Sequence, residues 1–527
     1  MIRIGLVVLS VVAALAAVGA AGWVSPWWWI AAAVLVPPAL LGVWDLLQRK
    51  HSVLRNYPVV GHARFLLERI RPELQQYFIE RNFDGRPFDR DVRSIVYERA
   101  KGTDAEEPYG TERDVYQPGY EFLVPSMAPR PVPKEPPRVR IGGPDCTRPY
   151  DMALLNVSAM SFGSLSSNAV LALNGGAAAG GFAQDTGEGG LSEYHLRPGG
   201  DLVWEIGTGY FGCRTSDGGF DAGEFADKAA HDQVKCVSLK LSQGAKPGIG
   251  GVLPGAKVNA EIARVRDVPQ GRTVISPPYH QVFSTPRELV RFIARMRQLA
   301  DGKPTGFKLC PGSRQQFLAV CKAMLEEGVT PDFIIVDGAE GGTGAAPLEF
   351  ADHVGTPLTE GLLTVHNSLV GVGLRDRIKI GASGKIATGT DLVKRLVQGA
   401  DYGNAARAMM FAVGCIQAQR CHTNACPTGV TTQDPRRARA LDVGDKTARV
   451  QRLQEATVAS ALQIMASMGV TDPAQLRPHM LRRRLDPYTV LSYEEMYEWL
   501  SPGQLTAEPP DSWAADWKAA DPDRFTV

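Results

Sequence analysis

The chain has 527 residues, enough for more than one domain, and its 57 basic and 56 acidic side chains leave a net charge of +1. That balance excludes the basic excess of a nucleic-acid-binding protein. Eight cysteines are too few for a disulfide scaffold, and three of them fall within twelve positions, a pattern that fits a reducing compartment and a metal site.

From Ile4 to Trp44 no residue is charged, a run of 41. One helix across a hydrocarbon layer about 30 Å thick needs only about 20 residues. The run is divided at Ser25-Pro26 and carries Trp23, Trp27, Trp28 and Trp29 at that division, residues suited to a membrane–water interface. These features predict a transmembrane helical hairpin in residues 1–48, with spans at 4–24 and 27–44 and a kink at Pro37-Pro38. Arg3 before the first span and Arg49-Lys50-His51 after the second place both ends in the cytoplasm, at an inner or plasma membrane. A cleaved signal peptide ending near Gly19–Gly22 competes with this reading, and the second apolar segment argues against it.

Residues 49–130 read as an amphipathic helical arm, FLLERIRPELQQYFIERN, and a proline-rich linker, the loop-like stretch running over 101–150 as an extended arm lying on a domain. After Tyr150, short apolar strands alternate with helices, as parallel α/β folds require. Eight strands are predicted: Ala153–Met160, Phe182–Thr186, Val234–Leu241, Thr273–Ser276, Gly306–Cys310, Phe333–Asp337, Ile378–Ala382 and Asp401–Asn404. They point to a (β/α)8 TIM barrel over 131–440, with chemistry at the carboxyl ends of its strands. A doubly wound sheet is the competitor. The G-x-G-x-x-G at Gly207–Gly212 leads into a polar turn and not a helix, which speaks against a dinucleotide-binding unit. Residues 441–527 read as a helical cap with a polar tail.

Several turns carry candidate chemistry. Asn156–Ser166, including Met160 and Ser161, passes from strand to turn to helix and offers backbone to a flat ring. Gln243-Gly244-Ala245-Lys246 is a flexible loop with one cation, and Arg266 follows twenty residues later; two such cations suit a dicarboxylate. Lys308 interrupts an apolar strand, a costly position unless it is paired. The turn Gly341-Gly342-Thr343-Gly344 allows close approach of a ligand to backbone. Gly384-Lys385 and Ala405-Ala406-Arg407 end the last two strands, where barrels commonly hold phosphate. Then comes Cys415-x5-Cys421-x4-Cys426-Pro427, three thiols suited to an iron–sulfur cluster, or to zinc with His422 as a fourth ligand.

Taken together, SAMSFGSLS, DTGEGG, QGAKPG, ISPPYH, GGTGAAP, SGKIATGTD and CIQAQRCHTNACPTGVTTQD resemble the FMN-binding synthase domain of glutamate synthase over about residues 130–435. The helical arm resembles that of short, single-subunit members. This resemblance implies FMN held by Met160, Ser161, Gln243, Lys308, Gly341–Gly344, Gly384, Lys385 and Ala405–Arg407. It implies a 3Fe-4S cluster on Cys415, Cys421 and Cys426, and keto-acid handling by Glu188, Lys246 and Arg266. The implied reaction is the reductive amination of 2-oxoglutarate by ammonia through 2-iminoglutarate to L-glutamate, an oxidoreductase acting on a CH-NH2 bond. Ile249 and Val252 stand where full-length enzymes of the family carry Glu and Gln, which opens the alternative of another 2-oxo or 2-imino acid. The sequence also shows no amidotransferase segment, so ammonia and electrons are expected from outside donors. A membrane-tethered electron-transfer flavoprotein without glutamate synthesis is the remaining alternative.

Overall fold

The computed structural model describes residues 2–103, 106 and 109–525, with the main chain alone for Ile2 and Arg3. The charge of Arg3, used above for orientation, lies outside the described residues. Contacts divide the chain into two units, Met1–Arg90 and Asp91–Val527.

In the first unit, α1 (Ile2–Trp23) packs along α2 (Trp28–Leu47), and α2 continues through Pro37 and Pro38. Both helices are long and apolar enough to cross a membrane. Leu6, Leu9, Leu15, Leu40 and Trp44 are exposed on them, an apolar surface that water does not favour. The first charge after the run, Asp45, is fully buried. It accepts hydrogen bonds from the Val59 amide at 2.8 Å and lies 2.9 Å from Nε2 of His62. A buried carboxylate needs such partners, and here the following arm supplies them.

The second unit is built on a closed barrel of eight parallel strands. Numbered within the barrel, they are β1 (Leu155–Val157), β2 (Gln184–Asp185), β3 (Leu202–Ile206), β4 (Val234–Lys240), β5 (Thr305–Leu309), β6 (Phe333–Asp337), β7 (Lys379–Ser383) and β8 (Tyr402–Ala405). β8 pairs back onto β1 through Asn404 and Asn156, which closes the ring. Seven of the eight expected strands are present in the barrel, and one expectation fails. Val274–Ile275 pairs antiparallel with Val252–Leu253 in a separate hairpin, with Ile275 70% exposed. The missing barrel strand is β3, whose apolar run is interrupted by Glu205 yet is buried throughout.

Side chains alternate between the faces of a strand. Ala183, Val203, Cys236, Phe333, Ile335 and Tyr402 form a packed cluster within the ring. By the same alternation Asp185, Glu205, Ser238 and Lys240 face inward, nearer the carboxyl ends. The segment expected to be loop-like contributes a hairpin, Val139–Ile141 with Tyr150–Met152, and its Ile141 and Met152 complete the apolar cluster at the amino ends of the strands. A second stretch of it, Glu121–Leu123, joins a sheet with Leu481–Arg484 and Val490–Ser492. Outside the barrel, α3 (Ser167–Gly180) and α4 (Gly389–Val397) pack against α5 (Val443–Ser467). Ser166 caps α3, and Thr388 with Asp391 forms a capping box on α4. These caps fix where each strand-to-helix turn ends and so hold the mouth of the barrel in shape.

Candidate active site

At the end of β2 the chain turns through Thr186, Gly187 and Glu188. Gly187 has φ +65°, and a Cβ there would lie 2.7 Å from the Ser161 amide nitrogen, so the turn requires glycine. It sets Gly187 against the backbone of Met160 and Ser161 and carries Glu188 into a ring of cations. Lys240 Nζ lies 3.1 Å from Glu188 Oε2 and also donates to Gln243 Oε1 at 3.1 Å. Arg266, 4% exposed, ends a helix and donates to the Phe162 carbonyl at 2.8 Å and to Ser161 Oγ at 3.3 Å. Its guanidinium lies 5.1 Å from the centre of the Phe211 ring, a cation–π contact. Lys246 is buried and donates to the Ala345 carbonyl at 3.2 Å, which links its loop to the glycine-rich turn after β6.

These charges act on one another. Burial alone would raise the Glu188 carboxyl, but the charge and hydrogen bond of Lys240, then Arg266 and Lys246, hold it below the usual range. Burial brings Arg266 down to about 10 against the pull of Glu188. Lys246 is lowered by burial and by Lys240, with Glu188 opposing. One carboxylate among three cations is an arrangement with positive charge to spare. His280 fastens the rim: Nε2 lies 2.8 Å from the Lys240 carbonyl and Nδ1 lies 3.1 Å from the Tyr210 hydroxyl. Burial brings this imidazole down to about 4, so it is neutral at pH 7.

Deeper in the barrel, Lys308 is ion-paired with Glu205, and Asp185 stands beside them. Burial opposes the Lys308 charge, but Glu205, Asp185 and Asp337 raise its pKa above the ordinary lysine value. The apolar strand that carries Lys308 is therefore matched by a carboxylate on the strand two positions round the ring.

The other side of the mouth is made by the last three strand ends. Ser383 Oγ lies 3.1 Å from Ser158 Oγ, joining the turns after β7 and β1. Gly384 is buried and Lys385 adopts φ +51°. Arg407 follows Ala405 and Ala406 at the end of β8 and reaches the Glu340 carbonyl at 3.5 Å. A Cβ on Gly342 would come 1.7 Å from the Arg407 guanidinium, so the arginine head lies directly over this glycine and would have to shift for any larger residue. Burial lowers the Arg407 pKa, with Asp337, Cys421 and Cys415 opposing. Arg407 thus lies between the glycine-rich turn and the cysteine loop, and a Cβ on Gly344 would be 3.6 Å from that of Cys421.

Cys415, Cys421 and Cys426 are free. The Gln417 amide donates to Cys415 Sγ at 3.4 Å, and the Cys415 carbonyl accepts from the Tyr97 hydroxyl at 2.7 Å. Burial, with the other two thiols adding to it, pushes Cys415 up to about 12. Burial also opposes ionisation of Cys426, but hydrogen bonds from Thr431 and Thr428 bring it down to about 7. Lys257 is lowered to about 8 by burial while Cys421 and Cys426 pull the other way. Cys415 thus feels both other thiols, with Lys257 acting on Cys421 and Cys426 and Arg407 on Cys415 and Cys421, and three thiols beside cations are a donor type chemically suited to an iron–sulfur cluster. Among the described residues no group of three His, Cys, Asp or Glu side chains is close enough to hold a metal ion.

A family model described as the conserved region in glutamate synthase matches residues 149–471. The glutamate synthase large subunit-like protein YerD of Bacillus subtilis is 38% identical over 498 residues, which cover 86% of this chain and 94% of that protein. The chain belongs to the glutamate synthase family. The archaeal glutamate synthase [NADPH] of Methanocaldococcus jannaschii is 33% identical over 330 residues, 62% of this chain and 61% of that protein. Among solved structures, a flavocytochrome b2 mutant with pyruvate bound is 15% identical at a TM-score of 0.40, covering 78% of this chain and 89% of that chain. Mandelate oxidase with benzoyl-formic acid is 15% identical at a TM-score of 0.40, covering 69% and 87%.

In this glutamate synthase-family chain, Glu188, Lys246 and Arg266 come together, as do Met160, Ser161 and Gln243 around them. Gly341–Gly344 and Ala405–Arg407 meet across Arg407, whereas Gly342 and Thr343 are exposed. Sequence reasoning missed Lys240, Asp185, Glu205 and His280. Lys240 carried the same signal as Lys308, a lysine in an apolar strand, and the two are register partners.

Proposed function

We propose that this chain is an FMN- and iron–sulfur-dependent oxidoreductase that converts 2-oxoglutarate and ammonia, through 2-iminoglutarate, to L-glutamate, with its N-terminal helices anchoring it in a membrane and its barrel in the cytoplasm. The observation that carries this reading is the Glu188 carboxylate surrounded by Lys240, Lys246 and Arg266. One anion among three cations leaves a surplus of two charges, which matches a dicarboxylate. Lys246 and Arg266 bind and orient its carboxylates. Glu188, held ionised, accepts hydrogen bonds from the incoming nitrogen and turns it toward the carbonyl carbon. Phe211 and Phe162 exclude water from the Arg266 side.

The turns ending β1, β6, β7 and β8, with Gln243 and Lys308, would hold FMN, which supplies hydride when bound. Backbone amides of Gly384, Lys385 and Ala406 suit its phosphate. Cys415, Cys421 and Cys426 are the thiols that would hold a 3Fe-4S cluster, whose chemistry there would be one-electron relay; in the described structure they do not lie close enough to form that site, so binding would have to draw the loop together. The contact of Arg407 with both loops supports placing the two groups side by side.

Ile249 and Val252 favour a second reading, a different 2-oxo or 2-imino acid. They flank Gly251, where a Cβ would lie 1.9 Å from Glu188 Oε1, so both apolar side chains belong to the loop that covers the carboxylate. The test is to incubate detergent-purified protein anaerobically with ammonium, a chemical reductant and each of several 2-oxo acids, and to quantify the amino acids formed. Glutamate supports the first reading and another amino acid the second. Flavin that is reduced but transfers nothing to any keto acid overturns both in favour of an electron-transfer module.

A further inference from the structure

Asp185 and Glu205 lie on the neighbouring strands β2 and β3 within the barrel, 2% and 1% exposed, and Lys308 of β5, 4% exposed, is ion-paired with Glu205 and near enough for its charge to act on Asp185. Two carboxyls thus share one ammonium in an enclosed space. Charging both leaves a net negative charge without a counterion, which an interior of low polarity strongly disfavours. Asp185 Oδ1 accepts the Gly187 amide at 2.9 Å, whereas Oδ2 is buried without a hydrogen-bond partner. The groups facing Asp185 are Glu205 from β3, Lys308 from β5, Lys240 from β4 and the Tyr402 hydroxyl from β8. Of the two cations, Lys240 is engaged by Glu188 above and Lys308 by Glu205, with the Asp337 carboxylate of β6 also drawing on Lys308.

We propose that Asp185 and Glu205 hold one proton between them at neutral pH, and that this proton sets the affinity of the barrel mouth for an anionic cofactor through Lys308. The proposal rests on the reading of the mouth as the FMN site. With the proton in place, Glu205 and Lys308 balance and the mouth keeps its full positive charge. With it gone, an extra negative charge lies beneath the ring site and repels both a phosphate and an electron-rich ring edge. Burial and the neighbouring Glu205 raise Asp185 to about 8, against the opposing effects of Lys308, the Gly187 amide and Lys240, so the change falls in the range a cell can reach. Asp185 acts here as a positioning residue, through Lys308, and touches no reacting atom.

Two measurements test this. Infrared spectroscopy of the flavin-free protein should show the carbonyl stretch of a buried, protonated carboxylic acid at about pH 6 that fades by about pH 10. Asp185→Asn should lack it, and Glu205→Gln, which leaves Asp185 ionised against Lys308 alone, should lack it too. Fluorescence titration with FMN should show affinity falling about tenfold more in the wild type than in Asp185→Asn between about pH 7 and about pH 9. Absence of the band from the wild type, or its persistence in both variants, overturns the shared proton. FMN curves that run parallel in wild type and Asp185→Asn overturn its coupling to the mouth. FMN that binds at no pH overturns the site reading itself, while the infrared band still decides the proton.

Discussion

Asp185 and Glu188 are three residues apart on one strand-to-helix turn, and their carboxyls behave in opposite ways. At the rim Glu188 meets Lys240, Lys246 and Arg266 and is held ionised below the usual range. Inside, Asp185 meets one carboxyl and a lysine already engaged by it, and is pushed up to about 8. The difference lies in stoichiometry: three cations to one anion above, two carboxyls to one cation below. The upper group invites an external anion, and the lower group retains a proton.

The sharpest way to break this contrast is to remove the cation from the lower group. Lys308→Met leaves Glu205 buried beside Asp185 with no partner, and breaking a buried pair costs about 3–5 kcal/mol. A large fall in the apparent unfolding temperature is expected in calorimetry, and a fall no greater than that of a surface lysine substitution would mean that water reaches the pair. The next largest effect belongs to the rim. Arg266→Ala removes a buried guanidinium that would bind a substrate carboxylate, a loss of about 2–3 kcal/mol. Steady-state kinetics should show kcat/KM for the 2-oxo acid falling about a hundredfold, and an unchanged value would remove Arg266 from substrate binding.

The pH dependence should run in opposite senses for the two groups. Asp185 has a raised folded pKa, so its stabilising contribution is full in acid and is lost as pH climbs toward about 8. Asp185→Asn is therefore expected to unfold at a higher temperature than the wild type at pH 8, with the gap closing toward about pH 4. Glu188 has a lowered pKa, so its contribution is present at neutral pH and is lost as pH falls through that value. Glu188→Gln should lose most stability near neutrality and least in acid. The smallest effect concerns selectivity. Val252→Gln adds a polar group to the loop covering Glu188 and should shift the ratio of kcat/KM between 2-oxoglutarate and an apolar 2-oxo acid about tenfold toward the former. A ratio unmoved by this change would place Val252 away from the substrate. For the cysteine loop, Cys421→Ser is expected to remove iron and the broad visible absorbance while FMN remains, and unchanged iron content would exclude Cys421 as a ligand.

The barrel was legible because most of its strands are continuous apolar runs closed by glycine-rich turns. β3 was missed for a physical reason. Glu205 breaks its run, and the glycines that follow resemble a nucleotide-binding turn, yet the charge is matched by Lys308 in the fold. Thr273–Ser276 had the right composition but stands outside the ring, because nothing in a short run says which partner it will find. Lys246 and Arg266 were readable as cations of the mouth, and Glu188 came only with the family resemblance. That Lys240 joins them, and that Asp185 and Glu205 share Lys308, depends on register across neighbouring strands, which no linear spacing encodes.

The bond from Lys246 to the Ala345 carbonyl has one more implication. A lysine ammonium carries three donors, so it can grip an arriving carboxylate without releasing that tether. On the proposed reading, a keto acid seated there would then tighten the segment that follows Gly344 as well. Backbone amides of residues 341–346 should trade their hydrogens for deuterium more slowly once a substrate analogue is seated, so that each of the two loops registers the occupancy of the other.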